Sequence, residues 1–271
     1  MIRSAARRTA FAVIAAFAGT LALGVPRASA GAQSTQSVPK SGADVLQRMH
    51  DAYAGKWYRT LTFTQKTTAY RDGTPSISTW YESLRHTDAT GTQLRIDIGD
   101  PKVGNGMLYT ADSTWVMRGG KLTTTRNSGN EFLPLIEGVY MQPVMRTLAE
   151  LKTTGVDMSK VASGKYQDRP VWIVGVSTAA DTTSPQFWVD TQRKVVVRFV
   201  MGVGGSAAPM DVHLDKYVPL AGGWLATKIG MYVGGAPRQT EEYTDWKANN
   251  ELPPALFDPA TWTTAPHWSK P

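Results

Sequence analysis

The chain has 271 residues, of which 42% are hydrophobic and 19% charged, with a formal net charge of +7 and no cysteine. Without cysteine there can be no disulfide, no thiolate nucleophile, no cysteine metal site and no acylated cysteine. Basic residues occur singly, as at Arg59, Lys66, Arg71, Arg85 and Arg95, so no basic stripe or nucleic-acid motif is present and nucleic-acid binding is not expected.

The first eight residues carry Arg3, Arg7 and Arg8 and no acid. An apolar run over residues 11–25 follows and ends at Pro26 and Ala28-Ser29-Ala30. A positive end, a short apolar core and an A-x-A site predict a cleaved secretory signal over residues 1–30 and a periplasmic or secreted mature protein. The run of about 15 residues falls short of the roughly 20 that span a bilayer, so cleavage is expected rather than a retained anchor. No other long apolar stretch follows, and the mature chain is expected to have no transmembrane segment. Arg7-Arg8 fits twin-arginine export. Four of the 29 basic residues leave with the signal, which leaves 25 against 22 acidic, an ordinary surface charge.

Residues 31–40 are mostly small and polar and read as a flexible leader. Ser41 is a candidate N-cap for a helix whose Val45, Leu46, Met49, Ala52 and Tyr53 share one face, with Gly55 at its end. Strands follow. Leu61 and Phe63 alternate with threonines in a segment reaching Tyr70, residues 71–75 form a turn, and residues 76–86 return. Leu94, Ile96 and Ile98 alternate with Gln93, Arg95 and Asp97 at a period of two. Residues 106–110 and 114–118 flank a turn, and Gly119-Gly120 allows a further reversal into 122–125. Residues 131–153 break the pattern. Leu133, Ile136, Val139, Tyr140, Val144, Leu148 and Leu151 stand at helical spacing, and Pro143 divides them into two short helices or a kinked one. Strands resume at 161–166, 171–176, 187–189, 195–200, 210–214, 224–233 and 239–246. Ten or more antiparallel strands in one domain, residues 41–271, must curl into a closed or nearly closed sheet.

Four segments share a further pattern: the helix with Val45-Leu46-Gln47-Arg48-Met49, the strand Leu61-Thr62-Phe63-Thr64-Gln65, the hairpin from Phe187-Trp188-Val189-Asp190 to Val197-Arg198, and the ending Leu252-Pro253-Pro254-Ala255-Leu256-Phe257-Asp258-Pro259. In this order they resemble the LolA/LolB family of periplasmic lipoprotein carriers over about residues 41–260. The resemblance implies a mainly β (α+β) fold, an unclosed antiparallel β-barrel with an N-terminal helix and a helical lid on its concave face. It also implies a monomer whose cavity takes lipid or the acyl chains of a lipoprotein, with an envelope protein as a further partner. The chain departs from the family in extra residues around 128–154 and in a Trp-rich tail. No residue here aligns with the family's lid-latching arginine, so no site residue is carried over.

Holding an acyl chain requires apolar area removed from water, at about 25 cal/mol per Å², and no catalytic group. The candidate lining of such a cavity is the middle segment: Phe132, Leu133, Leu135, Ile136, Val139, Tyr140, Met141 and Met145. Methionine adapts to irregular ligands. The same residues would serve as well as fixed core on the sheet, and the sequence leaves both roles open. The nine tryptophans are expected in core or rim positions with the indole N–H satisfied.

Catalytic patterns are sparse. His50, His86, His213 and His267 stand at no metal spacing, and there is no Gly-x-Ser-x-Gly. Residues 202–205 are glycine-rich and read as a loop or hairpin tip. Asp97 and Asp100 read as strand surface and turn, and His213 between Asp211 and Asp215 as a solvated strand face. No catalytic residue, cofactor or metal is therefore expected. A carrier of lipid or another amphiphile is the first functional expectation, with a secreted glycan hydrolase and an envelope sensor as alternatives.

Overall fold

The computed structural model describes residues 37–202 and 208–269. The expected signal over 1–30, the leader up to residue 36 and most of the glycine-rich tip lie outside the described residues. Helix α1 is Gly42–Tyr53. The Ser41 hydroxyl accepts from the Asp44 N–H at 3.2 Å and caps its first turn. Val45, Leu46 and Met49 are wholly buried. Gly42 lets the helix approach closely, since a Cβ there would lie 2.6 Å from both Met158 and Val174.

Six strands follow as successive hairpins: β1 (Thr60–Arg71), β2 (Thr74–Thr87), β3 (Gly91–Ile98), β4 (Gly106–Tyr109), β5 (Thr114–Arg118) and β6 (Lys121–Arg126). The middle segment comprises α2 (Leu133–Ile136), a 3-10 turn at Gly138–Tyr140, α3 (Val144–Glu150) and a 3-10 turn at Leu151–Thr154. The segment is interrupted at Pro143, as the sequence indicates, and also at Gly138. Seven more strands complete the sheet: β7 (Val161–Tyr166), β8 (Arg169–Val174), β9 (Gln186–Asp190), β10 (Val196–Met201), β11 (Met210–Leu220), β12 (Gly223–Val233) and β13 (Ala236–Ala248).

All thirteen strands form one antiparallel sheet in the order β6-β5-β4-β3-β2-β1-β13-β12-β11-β10-β9-β8-β7. The first and last strands pair at its centre, Leu61 opposite Ala248 and Ala69 opposite Gln239. The free edges are β6 and β7, so the barrel is unclosed. Between the pairs Thr62–Lys247 and Thr64–Thr244 the register shifts. Two β13 residues there face one on β1, and Asp245 takes φ 54°. Such a bulge bends and twists a strand, which helps this sheet to curl. Its concave face holds the main core, with Val45, Leu46 and Met49 of α1 in one apolar cluster with Trp172, Val174, Phe187 and Val189.

The outer face carries a second, smaller cluster: Leu108, Met117, Leu252, Leu256, Phe257 and Trp262. The tail beyond β13 folds back over the strands here, and it corrects one expectation. Asp97 is fully buried rather than at a strand surface, paired with Arg95 at 2.7 Å. Arg95 also donates to the carbonyls of Leu256 and Trp262, and its guanidinium lies 3.9 Å from the centre of the Trp262 ring. Alternation puts Arg95 and Asp97 on the polar face, as read, but the tail removes that face from water. Arg95→Leu leaves the Asp97 carboxylate buried with His267 as its remaining partner. It is expected to lower the unfolding free energy by about 3–5 kcal/mol in a urea titration. Lys66→Met, at the exposed pair with Glu242, is expected to leave the midpoint unchanged.

Candidate functional site

Between the concave face and the middle segment lies a cavity of about 140 Å³. The strands present their inward, period-two positions to it: Leu61 and Phe63 from β1, Leu84 from β2, Leu94 and Ile96 from β3, Leu214 from β11 and Ile229 from β12. Trp57, Trp80 and Trp224 also stand in the wall, and Phe132, Leu133, Ile136 and Tyr140 form the cover.

Four of the eight residues singled out in the sequence thus face the cavity. Leu135 and Val139 are buried in the packing of the lid but do not line the space, and Met141 is half-buried against the core. Met145 is 75% exposed on α3 and stands apart from the cavity. The helix pattern identifies a buried face; it cannot say which buried residues meet a space and which meet neighbours.

The lid is fastened at one acidic point. Glu137 accepts from the Trp57 indole N–H and from the Tyr58 hydroxyl, each at 2.8 Å. Trp57 stacks on Tyr140 with ring centres 3.8 Å apart, and Tyr53 meets both rings edge-on. The Tyr140 hydroxyl donates to the Lys194 carbonyl, and the Val139 carbonyl faces His50 Nδ1 at 3.0 Å. Farther along, Gln142 bridges Thr147 and Glu150, and Arg146 pairs with Glu150 at 3.0 Å.

Sequence reasoning missed three carboxyls in the cavity wall: Glu82, Glu137 and Glu241. A signal existed for the first. Trp80, Glu82 and Leu84 occupy alternate positions of β2, so an acid on the apolar face could be read from the period. Burial pushes the Glu137 carboxyl up to about 7, against the lowering effect of its two donors. Burial, reinforced by Glu241, holds Glu82 well above the usual carboxylate range. Burial raises Glu241 as well, opposed by hydrogen bonds from Tyr243 and Gln239, each at 2.6 Å.

The other polar groups weighed in the sequence lie elsewhere. His213 contacts Asp211 at 3.1 Å, and Asp211 is gripped by Arg198 through two hydrogen bonds. This face is therefore a half-buried ionic network rather than a solvated strand face. His267 Nε2 lies 3.1 Å from Asp97, and its Nδ1 faces the Ser269 hydroxyl at 2.8 Å. Nδ1 also accepts from the Ser269 backbone N–H, and both Asp97 oxygens take Arg95. Each of these groups is thus engaged in holding the tail. Among the described residues no group of three or more His, Asp or Glu could hold a metal ion. No helix among them is long and apolar enough to cross a membrane.

No family model matches the sequence, and no curated protein does. Solved structures do match the fold. A domain described as a putative outer membrane lipoprotein-sorting protein from Vibrio parahaemolyticus aligns over 82% of this chain and 98% of its own, with a TM-score of 0.57 and 12% identity. A DUF1329 family protein from Desulfovibrio piger aligns over 80% and 95%, with a TM-score of 0.54 and 13% identity. The chain therefore shares the fold of these structures, an unclosed antiparallel β-barrel with a helical lid.

The Glu137 latch gives a pH-dependent expectation. Its folded value of about 7 lies above the ordinary 4.5, so the native state is most favoured where the group is protonated, and that advantage fades as pH rises from about 5 through 7. Its neighbours Trp57, Tyr58, Tyr140 and Tyr217 stay neutral over this range; the three tyrosines are all raised further by burial. Glu137→Gln can keep both contacts if its amide donates to the Tyr58 oxygen, leaving that hydroxyl to the Trp224 carbonyl. Between pH 5 and 8 the variant is expected to gain about 2–3 kcal/mol on the parent in urea unfolding.

Proposed function

We propose that the protein is a periplasmic binding or carrier protein that holds the apolar part of a lipid, a lipoprotein acyl chain or another amphiphile. The observation that carries this reading is the apolar cavity between the curled sheet and a lid held mainly through Glu137, Trp57 and Tyr140. Among the described residues the lining is mostly apolar and contains no serine, threonine, cysteine, histidine or lysine, which favours binding over covalent chemistry at such a side chain. The signal pattern of residues 1–30 supports export. The fold likeness to a protein described as lipoprotein-sorting supports a lipid-like ligand.

Size limits what fits. A cavity of about 140 Å³ matches the roughly 150 Å³ known to take a benzene-sized molecule. With the lid as placed it accepts a short length of chain, and a longer chain requires the lid to lift. Gly138 and Pro143 divide the lid into short pieces, so one piece can shift while the sheet stays intact.

The test is titration with N-phenyl-1-naphthylamine, a neutral apolar dye that brightens when it leaves water. The parent protein is expected to bind it with saturable fluorescence. Ile136→Asp puts a charge in the apolar wall and is expected to weaken dye binding by roughly tenfold or more while the β-sheet circular dichroism persists. Met145→Asp, at an exposed site outside the wall, is expected to change neither. A parent that fails to bind the dye would sink the carrier reading.

A further inference from the structure

An apolar space that takes fatty chains has no evident use for buried acids, yet the wall carries three and, among the described residues, no lysine, arginine or histidine. Glu137 is accounted for by the latch. Glu241 is partly accounted for by Tyr243 and Gln239, with Gln65 also at hand. Glu82 is not: it is 5% exposed and lines the cavity, and among the described residues no donor reaches its carboxyl. A buried polar group without a partner costs stability that an apolar side chain would not. Beside it in the sheet, Gln65 lies between Trp80 and Tyr243 in the strand register. Its Nε2 donates to Thr67, but its Oε1 is buried without a partner. Two oxygen-bearing groups here thus lack a hydrogen-bond partner, and the rings of Phe63, Trp80 and Tyr243 stand in the same wall.

Resting on the carrier reading, we propose that the preferred ligand is an amphiphile with a positively charged amine end, its ammonium held at Glu82 and Glu241 and its alkyl part along the apolar wall. An ammonium supplies several donors and the opposite charge, the two things this end of the cavity lacks. Aromatic faces at Trp80 and Tyr243 suit a cation as well. A fatty acid offers the reverse, since its carboxylate would enter a wall with three acids and no cation. A neutral alcohol supplies one donor and no charge. Burial raises both Glu82 and Glu241 above the usual carboxylate range in the free protein, and binding of an ammonium favours their ionised forms.

The experiment displaces N-phenyl-1-naphthylamine with decylamine, decanol or decanoate at about pH 7.5, where the alkylamine is charged. Decylamine is expected to displace the dye at concentrations lower by roughly tenfold or more than either of the others, a difference of about 1.4 kcal/mol per tenfold. Glu82→Gln and Glu241→Gln, made separately, are expected to bring decylamine to within about twofold of decanol, both displacing the dye from the same variant. Equal displacement by decanol or decanoate in the parent overturns the proposal without needing a variant. An unchanged decylamine-to-decanol ratio in both variants overturns it too. Failure of the parent to bind the dye counts instead against the carrier reading on which this rests.

Discussion

The architecture depends on one pairing: β1 with β13, the two ends of the folded chain joined at the middle of the sheet. Because every other strand pairs with its neighbour in sequence, that seam forces both free edges to come from the middle of the chain. The segment joining β6 to β7, residues 127–160, must then travel from one edge of a curled sheet to the other. The concave side is the short route, and the segment carries an apolar face to bury there. The lid is thus a consequence of topology as much as of its own helical pattern. A sheet this wide curls rather than lying flat, and the chain fills part of the resulting hollow with α1 and bridges the rest.

Much of this was legible because it rests on local periods. Leu94, Ile96 and Ile98 declare a strand by alternation, Gly119-Gly120 declares a reversal, and Pro143 declares a break. What escaped was set by tertiary cover. Asp97 occupies the polar face its position predicts, and only the returning tail with Leu256 and Trp262 turns that face into an interior. Glu82 escaped for a related reason. A single acid within Trp80-Glu82-Leu84 looks like noise in the pattern until the neighbouring strands close over it. Met145 stood four residues from Met141 and yet faces water, because the lid is four short pieces rather than one helix.

The polar groups of the interior divide into two kinds. Those that hold the structure are fully partnered: Arg95 has its carboxylate, two carbonyls and a ring, and Glu137 has its two donors. Buried charge so satisfied fixes geometry, though apolar packing of equal volume would serve stability as well. Glu82 and the Gln65 oxygen belong to the other kind, polar atoms held in place by the sheet without a partner. The partnered kind occurs on both sides of the sheet. Arg95 and Asp97 lie between the sheet and the tail, whereas the glutamates lie between the sheet and the lid. A change to the lid therefore leaves the outer staple untouched.

The central seam also bears on the order of assembly. Lys66 and Glu242, neighbours across it, are 176 residues apart in the chain. The strands on either side are built from adjacent hairpins, which close over short loops, while the seam must wait for a long one. Each half-sheet can therefore form on its own, and the joining of the halves is the slow, late step. Until the last strand has emerged, β1 has one side unpaired and the cavity has no floor along that line. A protein truncated before β13 would keep all of the lid and ten of its twelve strand pairings, and still have no continuous surface on which to hold a ligand.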